Sequence, residues 1–526
     1  MHDIHIVLIS LLVSVVVLGT IARLVHIPYP IVLVIGGLGL GLVLGPDDTV
    51  TLDPDLVLVI FLPPLLYSSA FFANLHDLRQ SMRVISVLAV GLVLVTMCTV
   101  AVVAHEVVDG MSWPVAFVLG AIVSPTDPVA ATEILRRLRV PRRMVSVIEG
   151  ESLLNDGTAL VSYNTALKAV GASFVFWDAA GDFVVSAAGG IAIGLVAGKV
   201  LVEIRRRIND IPTEITISLL SGYAGYLPAD RAGVSGVLAA VTTGIVLGWK
   251  APEISTASMR LQGYAVWEIL VFLLNALLFV LIGLQLPTIM EGLNDESAAT
   301  LLGWAAAVSA AVIVTRLVFG EVFTRFIRLV DRREVQRARR SPFRNRLVTG
   351  WCGMRGSVSL AAALALAEDF PLRNIVLFLT FAVIFATLVI QGLTLPVLIK
   401  ALHIEDDGAD EREELIGRRA SVEAALERIN ELSGAEWTRD ETAERMRMMY
   451  EYRQRRFAVR AGELDDPEGI DAFETRAYRY QKMVRSVLSA QRDTLVDLRN
   501  RGEISNEVMH RLERELDLEE ERLEIT

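Results

Sequence analysis

Apolar segments long enough to cross a bilayer recur from residue 4 to about residue 402, and no other feature of the chain restricts its fold so severely. In hydrocarbon a segment must pair its backbone N–H and C=O groups internally, which a helix does residue by residue. About 20 helical residues span the ~30 Å apolar thickness, and the sequence supplies about thirteen such runs. The expected fold is an all-α polytopic membrane protein. With 53% hydrophobic residues and a mean hydropathy of +0.48, a soluble class is excluded.

Arginine and lysine divide the connections into two kinds. They collect at Arg79 and Arg83; at Arg136, Arg137, Arg139, Arg142 and Arg143; at Arg205, Arg206 and Arg207; and at Lys250 and Arg260. The longest set runs from Arg325 through Arg332, Arg333, Arg337, Arg339 and Arg340 to Arg346. Intervening connections are acidic or neutral, as at Gly45-Pro46-Asp47-Asp48 and Glu291-Gly292-Leu293-Asn294-Asp295, with Arg231 and Arg373 as minor exceptions. The positive-inside rule then puts the N-terminus outside and the C-terminus in the cytoplasm, which requires an odd number of crossings. Met1-His2-Asp3-Ile4 has no basic n-region and no A-x-A site follows the first apolar run, so a retained first helix is expected rather than a cleaved signal.

Near Ile404 the composition turns to charged helix formers, and the tail carries the whole net charge of −11. The chain thus divides into a membrane domain, 1–402, and a cytoplasmic helical tail, 403–526. In the tail Ser505 is a good N-cap ahead of apolar residues at helical spacing.

Several chemistries are absent. Cys98 and Cys352 sit in separate apolar segments and form no CxxC, and no HExxH or histidine cluster exists, so no protein-held transition metal and no cofactor is expected. Gly37-Leu38-Gly39-Leu40-Gly41 with Gly45 is overlapping GxxxG, read as helix packing, and Gly194 to Gly198-Lys199 has the wrong spacing for a P-loop. Nothing in the chain points to nucleic acid; its partners are the bilayer and small ions.

Chemistry enters through polar runs inside apolar spans. Within 144–168, Glu151 and Asn155 stack one helical turn apart, as do Ser152 and Asp156, on adjacent stripes of one face. Two acids, an amide and a hydroxyl there suit a small hard cation. Within 112–134, Asp127 lies between Pro125 and Pro128, where the missing N–H and ring clashes open the helix and free carbonyls. Within 347–368, Gly350-Trp351-Cys352-Gly353-Met354-Arg355-Gly356-Ser357 combines three glycines with an arginine that needs a carboxylate at that depth. Glu151 is its expected partner. Two interrupted helices at matching places are the mark of an inverted repeat.

Ser124-Pro125-Thr126-Asp127-Pro128, Glu151-Ser152-Leu153-Leu154-Asn155-Asp156 and Gly353-Met354-Arg355-Gly356 resemble the monovalent cation/proton antiporters of the first kind, the bacterial and animal sodium/proton exchanger family. Leu62-Pro63-Pro64-Leu65-Leu66 and Leu281-Ile282-Gly283-Leu284-Gln285-Leu286 are lesser likenesses. The resemblance covers about 5–400. It implies thirteen helices with inverted repeats and two interrupted crossing helices, a homodimer, and a six-helix core moving against a dimerisation domain. It further implies Asp156 as the ion- and proton-binding acid, Asp127 and Thr126 in the unwound crossing, and a structural Glu151–Arg355 pair. Asn155 resembles the electroneutral branch. Some members carry an acid just after the Leu-Pro-Pro run, where this chain has Tyr67-Ser68-Ser69; Ser68 would then supply a neutral oxygen.

The expected function is secondary antiport at the plasma membrane, H+ against Na+ held at Asp156, Asp127 and Ser152, for pH and sodium homeostasis, with K+ or Li+ as alternative cargo. An intramembrane aspartyl protease is disfavoured: no Gly-x-Gly-Asp run exists, and Asn155 and Arg355 would have no role. A passive channel leaves Arg355 and the inverted pair unexplained.

Overall fold

The computed structural model describes residues 2–25, 27–44, 54–171, 176–208, 210–293, 296–330, 342–461 and 470–525, and among them every regular element is helical. The Gly45-Pro46-Asp47-Asp48 connection, Asn294-Asp295 and the arginines from Arg332 to Arg340 lie outside the described residues. Contacts divide the chain into two compact units, Met1–Asp407 and Gly408–Thr526.

In the first unit the helices are α1 His2–Val25, α2 Tyr29–Leu44, α3 Pro54–Phe71, α4 Leu75–Val107, α5 Trp113–Val123, α6 Val129–Arg137, α7 Arg142–Gly171 and α8 Phe176–Arg206. They continue as α9 Ile211–Arg231, α10 Gly236–Ile254, α11 Ala257–Glu291, α12 Ala298–Val330, α13 Phe343–Trp351, α14 Ser357–Leu364 and α15 Arg373–Ala401. Six of them, α4, α8, α10, α11, α12 and α15, contain windows long and apolar enough to cross a membrane. Shorter apolar stretches lie in α1, α2, α3 and α5.

Packing sorts these helices into two groups. Helices α4 to α7 pack with α12 to α15, while α1 to α3 pack with α8 to α11. The groups meet where α3 and α11 touch α14, where α11 touches α15, and where α7 touches α8. The α2–α11 crossing shows why small residues are needed in the second group: a Cβ on Gly37 would strike the carbonyl of Val280, and one on Gly283 that of Val34. Such close backbone approach supplies the dispersion contacts that hold helices together where lipid offers no hydrophobic drive. The glycine run read as packing sits at this crossing.

The basic helix ends are tied to one another. Arg142 at the start of α7 pairs with Asp77 at the start of α4 (2.8 Å), and Arg206 at the end of α8 lies 3.7 Å from Glu253 at the end of α10. Arg79 stacks on Trp249, and Arg346 at the start of α13 pairs with Glu321 near the end of α12 (3.0 Å). The first three contacts join the starts of α4 and α7 to the ends of α8 and α10, and the fourth joins the two sides of the α12–α13 connection.

The second unit has two helical hairpins, α16 Ala409–Leu432 with α17 Asp440–Arg460, and α18 Ile470–Asn500 with α19 Asn506–Ile525. Val422, Ile429 and Phe457 are buried in the first, and Leu488 and Met509 in the second. The Ser505 hydroxyl accepts from the Val508 N–H (3.2 Å), so the N-cap read from sequence is in place. Arg492 holds Asp517 and Glu520 (2.6 Å each) and ties α18 to α19.

Candidate ion site at the crossing of two broken helices

Helix α5 stops at Val123 and α6 begins at Val129, so Ser124 to Pro128 is the break. Pro128 cannot donate to the Ser124 carbonyl, and its ring clashes with that turn. The second break, Cys352 to Gly356, lies between α13 and α14. The two are joined backbone to backbone: the Asp127 N–H donates to the Met354 carbonyl (2.8 Å).

Each break leaves one helix C-terminus and one N-terminus, carrying partial negative and positive charge. The chain supplies a charge for each kind. The Asp127 carboxylate accepts from the Val129 N–H (2.9 Å) at the start of α6 and from the Ser357 N–H (3.3 Å) at the start of α14. Gly356 lets this happen, because a Cβ there would fall on the Asp127 carboxylate. Arg355 serves the opposite ends. Its guanidinium donates to the carbonyls of Val123 (2.9 Å) and Ser124 (3.4 Å) at the end of α5 and to Gly353 just past α13, while its N–H donates to Thr387 Oγ1 (3.1 Å).

The expected Glu151–Arg355 ion pair is therefore not formed. Glu151 on α7 is bound by both prongs of Arg316 on α12, through NH1 to Oε1 and NH2 to Oε2 (2.9 Å). The side chains are 1% and 2% exposed. Arg316 also donates to the carbonyls of Gly350 (3.1 Å) and Thr349 (3.4 Å) in the last turn of α13. The physical reason is economy of acceptors. Arg355 is satisfied by carbonyls that the breaks release, so it needs no carboxylate, and Glu151 already holds a bidentate guanidinium. From that pair a chain of hydrogen bonds runs to the crossing: Thr126 Oγ1 donates to Glu151 Oε1 (3.2 Å), and Asn155 Nδ2 donates to Thr126 Oγ1 (2.9 Å). Asn155 Oδ1 is buried without a partner.

Asp156 is the exception to this satisfaction. It is buried, accepts no hydrogen bond from the described residues, and lines a cavity of about 90 Å³ together with Asp127, Thr126 and Ser152. That is room for a small ion and a few waters. Residues of α3 (Leu62, Leu65, Leu66, Ser69) and α11 (Val271, Asn275) also line it. Ser68, the expected accessory oxygen, is not among them: its hydroxyl donates to the Leu65 carbonyl of its own helix (2.9 Å), and its neighbour Ser69 lines the cavity instead. Ser357 figures in the sequence reading only as part of the glycine run, without a role, and Arg316, Asn275 and Ser359 are not singled out there. For Arg316 and Asn275, polar residues inside long apolar helices, that isolation is the available signal.

A set of membrane helices with a proton-capable acid at two crossed, broken helices defines an ion-transport protein. The family model for the sodium/hydrogen exchanger transmembrane domain matches residues 8–401. A protein named as a Na+/H+ exchanger of Mycobacterium tuberculosis is 35% identical over 98% of this chain and 96% of its own length. The Na+/H+ antiporter ApNhaP of Aphanothece halophytica is 32% identical over 77% of this chain and 76% of its own. The sodium proton antiporter MjNhaP1 of Methanocaldococcus jannaschii shares the fold, with a TM-score of 0.59 at 20% identity over 74% of this chain and 99% of that one. The chain belongs to the sodium/hydrogen exchanger family of monovalent cation/proton antiporters. It is a multi-pass membrane transporter and not an enzyme.

Proposed function

We propose that this protein exchanges one H+ for one Na+ at the plasma membrane, with Asp156 as the group that both ions share. The observation that carries the reading is Asp156 itself, a buried carboxylate without a partner among the described residues, on a cavity at the helix crossing. A bare carboxylate there binds either a proton or a partly dehydrated cation. If the site changes sides only when occupied, the two fluxes run opposite without ATP. Asp127, Thr126, Ser152 and Asn155 complete the site, with Asp127 tied to two helix N-termini and so not free to cycle. Asn155 cannot carry a proton, which leaves one titrating acid per turnover and an electroneutral exchange.

The reading includes a homodimer, thirteen crossings with each broken pair counted as one, an outside N-terminus, a cytoplasmic tail over 403–526, and a role in pH and sodium homeostasis. Gathering of basic helix ends supports the orientation, and separation of the units between Asp407 and Gly408 supports the tail. K+ is the second candidate cargo, because a relative from Bacillus subtilis, 27% identical over 97% of this chain and 77% of its own, is named a sodium, potassium, lithium and rubidium/H+ antiporter. The test is dissipation of an imposed pH gradient in proteoliposomes on addition of Na+, K+ or Li+. Wild type is expected to respond and D156N to be silent. Cation-dependent flux through a folded D156N protein would refute the assignment.

A further inference from the structure

We infer that Asn275 is a cation ligand contributed by α11, a neutral oxygen on the cavity of Asp156 that sets affinity and ion selectivity. This rests on the antiport reading and deepens it. Asn275 interrupts the apolar run Val271-Phe272-Leu273-Leu274-Asn275-Ala276-Leu277-Leu278. It is 3% exposed, hydrogen-bonds to none of the described residues, and borders the same cavity as Asp156 and Ser152. An amide at that depth is costly unless water or an ion in the cavity satisfies it.

Its place in the packing gives the amide a particular use. Asp156 and Ser152 stand on α7 and Asp127 in the break between α5 and α6, all of one group, whereas α11 belongs to the other. Among the lining residues of α3 and α11, Asn275 is the buried polar side chain; Leu62, Leu65, Leu66 and Val271 are apolar, and Ser69 is exposed. A cation on the Asp156 carboxylate therefore gains its oxygen from the other group through Asn275 Oδ1. Hard alkali cations take such amide oxygens. The oxygen is uncharged, so it adds affinity without adding a titrating site, and one proton per cation is preserved. Ion–dipole attraction weakens as ionic radius grows, and the dehydration cost is the same in wild type and variant, so losing this contact costs Li+ and Na+ more than K+.

The experiment measures apparent KM and maximal rate for Li+, Na+ and K+ in proteoliposomes of wild type, D156N, N275L and N275S. Leucine matches the volume of asparagine without an oxygen, and serine keeps a hydroxyl with space for a water. In N275L the Na+ and Li+ KM should rise about tenfold, as for loss of one bond to a charged group. K+ should shift less and the maximal rate little. N275S should keep the wild-type order of cations. Wild-type KM values for all three ions in N275L overturn the inference, as does an equal shift for all three in both variants, which marks a packing role. Absence of cation-dependent flux in wild type would instead overturn the antiport reading. Flux that D156N abolishes while N275L leaves every KM unmoved defeats the Asn275 assignment alone.

Discussion

Breaking the Glu151–Arg316 pair should separate two ways of wiring the crossing. The pair is bidentate with both side chains at most 2% exposed, so neutralising one member strands the other in a low-dielectric interior. That costs about 3–5 kcal/mol in buried pairs. The two losses should not be equal. Without Glu151, Arg316 keeps the carbonyls of Gly350 and Thr349; without Arg316, Glu151 keeps only the Thr126 hydroxyl. E151Q should therefore fall near ~3 kcal/mol and R316M nearer ~5 kcal/mol. The double variant buries no unpaired charge and should recover about 2–3 kcal/mol of the summed loss. Arg355 spends its donors on backbone carbonyls, so E151Q with R355M should couple by less than about 1 kcal/mol. Equilibrium unfolding by SDS titration in mixed micelles, followed by tryptophan fluorescence, gives all the free energies. Additivity of E151Q with R316M, or stronger coupling of Glu151 to Arg355, would refute the wiring described.

Three further outcomes are expected. D156N, which removes a buried acid with no protein partner, should unfold at the same or higher SDS concentration than wild type while losing flux; a clear drop in stability would mean the carboxylate is structural. G356A should displace the Asp127 carboxylate from the Ser357 N–H and lower flux by an order of magnitude or more, as for a lost positioning contact, and unaltered rates would show that the contact does not matter. Exchange in potassium/valinomycin-clamped vesicles should be indifferent to imposed voltage, since a net charge would bring about 2.3 kcal/mol per 100 mV to bear; steep voltage dependence would mean that a second group titrates.

Much of the fold was legible because bilayer physics leaves few choices. Apolar length announces helices, and arginines at the helix ends take acidic partners, as in Arg142–Asp77 and Arg346–Glu321. The breaks were legible from Pro125, Pro128 and the glycines at 353 and 356, because backbone chemistry acts locally. What local chemistry cannot reveal is partner choice across the bundle. Arg355 and Glu151 share an apolar depth and opposite charge, yet they do not pair, because broken helices expose carbonyls and a second intramembrane arginine, Arg316, stands in Val314-Thr315-Arg316-Leu317-Val318.

A helix terminus is itself a partial countercharge with donors or acceptors already aimed, so a buried arginine beside broken helices needs no carboxylate. At this crossing Asp127 answers two N-termini and Arg355 answers carbonyls past two C-terminal ends. The crossing is then self-neutralising, with no formal ion pair between its two charges. It follows that the acid left over is the one outside this arrangement. Among the described residues Asp156 has no helix end and no guanidinium to satisfy it, which is why the proposed exchange is centred on it.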